Sequence, residues 1–183
     1  MKKFIISVLG HDRPGIIAAV SEELFRTGCN IEDVSQTILQ TEFAGIFIAS
    51  VPESLTSDDL LVRLREKLDP AGLSVLLREM ESSGVWENPP SEPFVITTLG
   101  PDRPGLVAGI TGLLASFSVN ISNLKAVFRG GDNPSANTMI YEVDIPTALD
   151  MNGFREALYD RGRELSLDIS LQHREIFEAV HRV

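Results

Sequence analysis

The chain has 183 residues, 43% of them hydrophobic, and a formal charge of −10. That is enough apolar material for one ordinary domain or two small ones. Only four lysines occur (Lys2, Lys3, Lys67 and Lys125) and no window is strongly basic, so direct binding of DNA or RNA, or attraction to an anionic membrane surface, is not expected.

No apolar run approaches the roughly 18–20 residues a membrane-spanning helix requires. The stretch Phe4–Leu9 after Met1-Lys2-Lys3 is too short for a signal-peptide core, so a cytoplasmic protein is expected. The single cysteine, Cys29, allows no intrachain disulfide or thiolate metal cluster, and reads as a buried, inert thiol.

Phe4-Ile-Ile-Ser-Val-Leu9 reads as a buried strand. From Pro14, placed in a first turn, the period turns helical, with Ile16, Ile17, Val20, Leu24 and Phe25 on one face and Gly28 at the C′ stop. Residues 30–40 and 45–51 form two strands joined by a turn at Thr41–Ala44. Both faces of the second are apolar, which predicts cover on two sides by a domain or subunit contact. Thr56 or Ser57 caps a second helix with its stripe at Leu60, Leu61, Leu64 and Leu68. Asp69-Pro-Ala-Gly72 stops it before a last strand, 73–80.

Gly84 to Pro93 holds three prolines and reads as a linker on which Trp86 packs against a domain face. The order then repeats. A helix carries Leu106, Val107, Ile110, Leu113, Leu114 and Phe117, and two strands flank a turn at Gly130–Pro134. A helix at 150–163 and a strand at 167–174 follow, with a short helix or frayed end at 176–183. Met139, Tyr141, Val143 and Ile145 alternate with polar residues, Ile140 excepted, a one-face-buried pattern.

The repeat is visible residue by residue. Phe4–Gly15 aligns with Phe94–Gly105 at an offset of 90, sharing Phe, Ile, Leu, Gly, Asp, Arg, Pro and Gly; Asn30-Ile31 then matches Asn120-Ile121. Each copy is βαββαβ, and two helices covering one sheet face make an α+β, ferredoxin-like sandwich. The expected domains are 1–84 and 94–183, with 85–93 as linker.

Both copies pass from strand to helix through Gly-x-Asp-Arg-Pro-Gly. Gly10 and Gly100 suit a sharp turn or close approach. Gly15 and Gly105 leave the first helical N–H groups uncovered, a place for a small anion such as a carboxylate. Asp12 and Asp102 could meet an ammonium group, so a zwitterion fits; a polyphosphate does not, since no Walker lysine follows. Asp and Pro before a helix are equally an ordinary helix start, so the residues alone leave both readings open. Asn30 and Asn120 start the next strand, at the far end of the helix, and could meet such a ligand only from a neighbouring module.

Leu9–Ala19, Leu99–Gly109 and the two Asn-Ile pairs resemble ACT domains over nearly the whole chain, and a tandem pair is similar to the glycine cleavage system transcriptional repressor group. The resemblance implies tandem ferredoxin-like modules pairing side by side, and a small amino acid such as glycine or serine bound between modules. It implies ligand contacts at Gly10, His11, Asp12, Gly15 and Asn30, and at Gly100, Asp102, Gly105 and Asn120. His11, Pro101 in the second copy, is otherwise a solvated loop residue. His11, His173 and His181 form no metal or nucleophile motif, and ACT relatives that are enzymes carry a separate catalytic domain. The expectation is therefore a non-catalytic regulator without cofactor or metal, acting on a protein partner such as a transcription regulator, with a homodimer as a further expectation. The alternative is an assembly module whose turns are purely structural.

Overall fold

A computed structural model describes residues 2–80, 89–128 and 137–181. The chain divides into two compact units, Met1–Val85 and Trp86–Val183. The first unit runs β1 (Lys2–His11), α1 (Ile16–Arg26), β2 (Asn30–Leu39), β3 (Glu42–Val51), α2 (Ser57–Leu68) and β4 (Ser74–Glu79). The second runs β5 (Ser91–Gly100), α3 (Leu106–Ser116), β6 (Asn120–Phe128), β7 (Asn137–Pro146), α4 (Met151–Glu164), β8 (Asp168–His173) and α5 (Arg174–His181). The sheets are antiparallel, in the orders β2-β3-β1-β4 and β6-β7-β5-β8. This is βαββαβ twice, the expected ferredoxin-like arrangement.

Each unit closes its own core. Phe4, Ile6 and Val8 of β1 face Val20 and Leu24 of α1 and Leu60, Leu64 and Leu68 of α2. Ile96, Ile110, Leu114, Tyr141, Phe154 and Leu158 play these parts in the second unit. Thr56 caps α2, its hydroxyl accepting the Asp59 N–H at 3.1 Å. Gly28 (φ +74) ends α1 in a Schellman motif, with Cys29 N–H donating to the Leu24 carbonyl and Gly28 N–H to Phe25. Ser118, at φ +57, does the same for α3.

Several sequence expectations are corrected. Pro14 lies before α1, not in its first turn, because Gly15 is the N-cap. The line Ile16–Val20–Leu24 takes the centre of the buried face, so Phe25, about 100° further round, is 82% exposed. The first hairpin turns on Gln40-Thr41 alone, with Leu39 opposite Glu42, so Phe43 is a buried strand residue. β5 starts at Ser91, inside the expected linker; Trp86 and the Gly130–Pro134 turn lie outside the described residues. Finally, the helices of the first unit cover β3 on one side, burying Phe43, Phe47, Ala49 and Val51, while on the other side Ser50 is buried and Ile46 is 51% exposed.

Burial raises the pKa of the Cys29 thiol, and likewise that of the Tyr141 hydroxyl. An acid whose pKa is higher folded than unfolded contributes stability that is full below the unfolded pKa and lost as pH rises through the folded value. Urea midpoints are therefore expected to hold through neutral pH and to fall above about pH 9. A flat profile up to about pH 11 would contradict this.

Candidate functional site

In the first unit the Gly-x-Asp-Arg-Pro-Gly turn carries the chain from the centre of the sheet to α1. Gly10 is pressed against the turn before β4: a Cβ there would lie 2.8 Å from the Gly72 carbonyl oxygen and 2.8 Å from Leu73 Cδ2. Gly15 differs. It is left-handed (φ +96), and a Cβ would meet nothing within 4 Å. As N-cap of α1 it offers no side chain, and no side chain of another residue caps the helix. The first intrahelical bond runs from Ala19 N–H to the Gly15 carbonyl, so the N–H groups of Ile16, Ile17 and Ala18 have no partner within the helix.

Those three residues line a hollow of about 370 Å³ together with Asp12, Arg13, Pro14, Gly15, Gln36 and Phe43. Gln36 comes from the edge strand β2, opposite Gly45 of β3. Gly45 has no side chain because the Phe43 ring occupies that space; a Cβ would sit 2.6 Å from its Cζ. One wall is thus a helix N-terminus, the floor is aromatic, and a carboxylate and a carboxamide stand at the rim. The positive end of the helix dipole favours an anion there. Asp12 is held through its backbone, its N–H donating to the Thr41 carbonyl at 2.7 Å.

Of the residues expected in the site, Asp12 and Gly15 meet in this hollow. Gly10 supports the turn from the other flank. His11 is exposed, with Nδ1 3.5 Å from Glu42 Oε1. Asn30 pairs with Ser50 whereas Gly10 pairs with Phe43, seven positions apart along β3, or roughly 24 Å. Gln36 and Phe43 were missed in the sequence. A lone carboxamide between Val34 and Ile38, on the helix side of β2, was the available signal.

The second unit disperses its counterparts. Gly105 (φ +92) is again an N-cap without a capping side chain. Gly100 packs on the Ser166 carbonyl, 2.9 Å from where a Cβ would stand. It lines a hollow of about 390 Å³ with Arg163 and Asp168. Asp102 accepts a hydrogen bond from Asn137 Nδ2 at 3.2 Å. Asn120 lies in a separate hollow of about 280 Å³ with Asp144 and Pro146, its amide 3.5 Å from the Asp144 carboxylate. Among the described residues no group of three or more His, Cys, Asp or Glu could hold a metal ion, and no helix is long and apolar enough to cross a membrane.

The ACT domain model matches residues 2–77 and 92–132, more than half of the chain. The chain belongs to the ACT domain family. The UPF0237 protein of Methanopyrus kandleri is 37% identical over 91 residues, 49% of this chain and 96% of its own length. The UPF0237 protein of Methanosarcina acetivorans is 34% identical over 94 residues, 51% of this chain and 98% of its own. Each therefore has the length of about one ACT module. Two solved structures span both modules. A protein of Galdieria sulphuraria has TM-score 0.74 at 25% identity, covering 94% of this chain and 98% of its own. A protein assigned as a glycine cleavage system transcriptional repressor has TM-score 0.64 at 19% identity, covering 93% and 96%, and shares the fold.

The two ACT modules differ where the first-module hollow is built. By strand register, Gln36 corresponds to Ala126, Gly45 to Met139 and Phe43 to Asn137. His11 corresponds to Pro101. The second ACT module keeps the glycine cap and Asp102, but Ala126 replaces the carboxamide of the edge strand, and Asn137, bonded to Asp102, replaces the aromatic floor.

Proposed function

We propose that this ACT protein is a non-catalytic, cytoplasmic regulator that binds a small amino acid such as glycine or serine at the first-module turn and modulates a protein partner. The observation that carries the reading is the uncapped N-terminus of α1 at left-handed Gly15, opening on a hollow with Asp12 at its rim. The ligand carboxylate sits on the free N–H groups of Ile16 to Ala18, and Asp12 takes its ammonium group. Ligand binding then favours one arrangement of the protein, which the partner reads.

Isothermal titration against the twenty amino acids tests this. Binding of a small amino acid is expected; folded protein that binds none refutes the reading and leaves the ligand-independent assembly module. Asp12→Ala is expected to weaken binding at least about tenfold. It should change stability by less than about 0.5 kcal/mol, because Asp12 caps no helix. A loss of stability of about 1–2 kcal/mol would mark Asp12 as structural.

A further inference from the structure

The sheet face turned away from the helices differs between the two modules. In the first, one row runs straight across all four strands: Asp33 of β2, Ile48 of β3, Ile5 of β1 and Arg78 of β4. Its middle is apolar and its ends carry opposite charges. The next row holds Ile46 and Leu76, and Leu9 follows; these are 51%, 68% and 54% exposed. Lys3 is paired with Glu32 at 2.5 Å and Lys2 with Glu79 at 3.6 Å. Asp33 and Arg78 have no ion-pair partner among the described residues.

In the second module the same register places Asn123, Glu142, Val95 and Gln172. Both terminal charges are gone. Asn123 Nδ2 donates to Glu142 at 2.8 Å, and Arg174 of α5 reaches Glu142 at 3.6 Å. α5 packs on β5 and β8, and Val95 is 2% exposed. One face is closed by its own helix, over a row in which Glu142 is paired with both Asn123 and Arg174. The other is open, apolar and charged at its two edges.

We propose that the open face of the first module packs on the same face of a second copy of this chain. The strand order makes the row self-complementary. A twofold axis along the strands, between β1 and β3, lays β2 over β4 of the second copy and β3 over β1. Asp33 then meets Arg78 of the other copy at both edges, and Ile48 lies over Ile5. Sheets packed face to face stand about 10 Å apart with interdigitated side chains, and the isologous contact closes on itself as a dimer. The pairs at the edges set register, and the isoleucine and leucine side chains supply the apolar area.

Sedimentation equilibrium in buffer free of amino acids tests the proposal separately from ligand binding. A dimer of the 20.1 kDa chain is expected. Asp33→Arg and Arg78→Asp each put like charges face to face at both edges, so each alone raises the dissociation constant at least about tenfold. Mixed together, the two variants restore a heterodimer, as does the double variant with itself. Ile46→Lys also dissociates the dimer, with circular dichroism unchanged. A chain monomeric at all concentrations overturns the proposal, whatever else covers the face. So does a dimer indifferent to Arg78→Asp, which would place its contact elsewhere, or single variants that dissociate but fail to recombine.

Discussion

Gly10→Ala is expected to destabilise the protein by about 3 kcal/mol, measured by urea denaturation with far-ultraviolet circular dichroism. The added methyl would stand 2.8 Å from a backbone oxygen and from Leu73 Cδ2. Leu73 is itself 2% exposed and has nowhere to retreat. Gly15→Ala is the control within the same turn. Its methyl meets no atom within 4 Å, so only the cost of a left-handed alanine remains, about 1–2 kcal/mol. Equal losses at the two sites would show that the turn before β4 yields. One six-residue motif thus contains two glycines kept for different physical reasons, and only Gly15 borders the hollow.

Phe154→Ala is expected to cost about 4 kcal/mol in the same measurement. Phe154 is fully buried on α4 and stacks edge-on against Phe117 at a centroid distance of 5.3 Å. Truncation removes that contact and leaves a cavity between α4 and the Schellman turn after α3. Phe154→Leu, which refills most of the volume, should recover more than half of the loss. A cost below about 2 kcal/mol for the alanine variant would mean that the helices close over the gap.

Much of the fold was legible in the sequence because its signals are local. The repeated Phe4–Gly15 and Phe94–Gly105 segments, the stripe at Leu60, Leu64 and Leu68 and the alternation of β7 from Met139 to Ile145 all express a period of 3.6 or 2. The errors fell where two neighbours compete for one side. Leu24 and Phe25 both fit a helical stripe, and only the sheet beneath them decides which is buried. The width of the first hairpin is not legible in the sequence because Phe43 and Ala44 carry no signal for turn or strand, and only the pairing of Leu39 with Glu42 fixes it.

The candidate site was legible in part. Asp12 and Gly15 stand out as a repeated motif, whereas Gln36 and Phe43 come to them through the β2–β3 register and are 21 and 28 positions beyond Gly15. Register also decided that the two copies of the motif are unequal, since Ala126, Met139 and Asn137 stand where Gln36, Gly45 and Phe43 do. The same holds for the open face: Asp33 and Arg78 lie 45 positions apart and form one row only because β3 and β1 intervene.

By itself, then, the sequence determined the duplicated βαββαβ plan and the glycine-capped turn, because periodicity, turn residues and repeats act over a few neighbouring positions. The tertiary structure decided that Asp12 caps nothing and that Gly10 is a packing residue. It also decided which hollow has a floor and which sheet face remains open. Each of these depends on residues far apart in the chain, brought together by strand order and register.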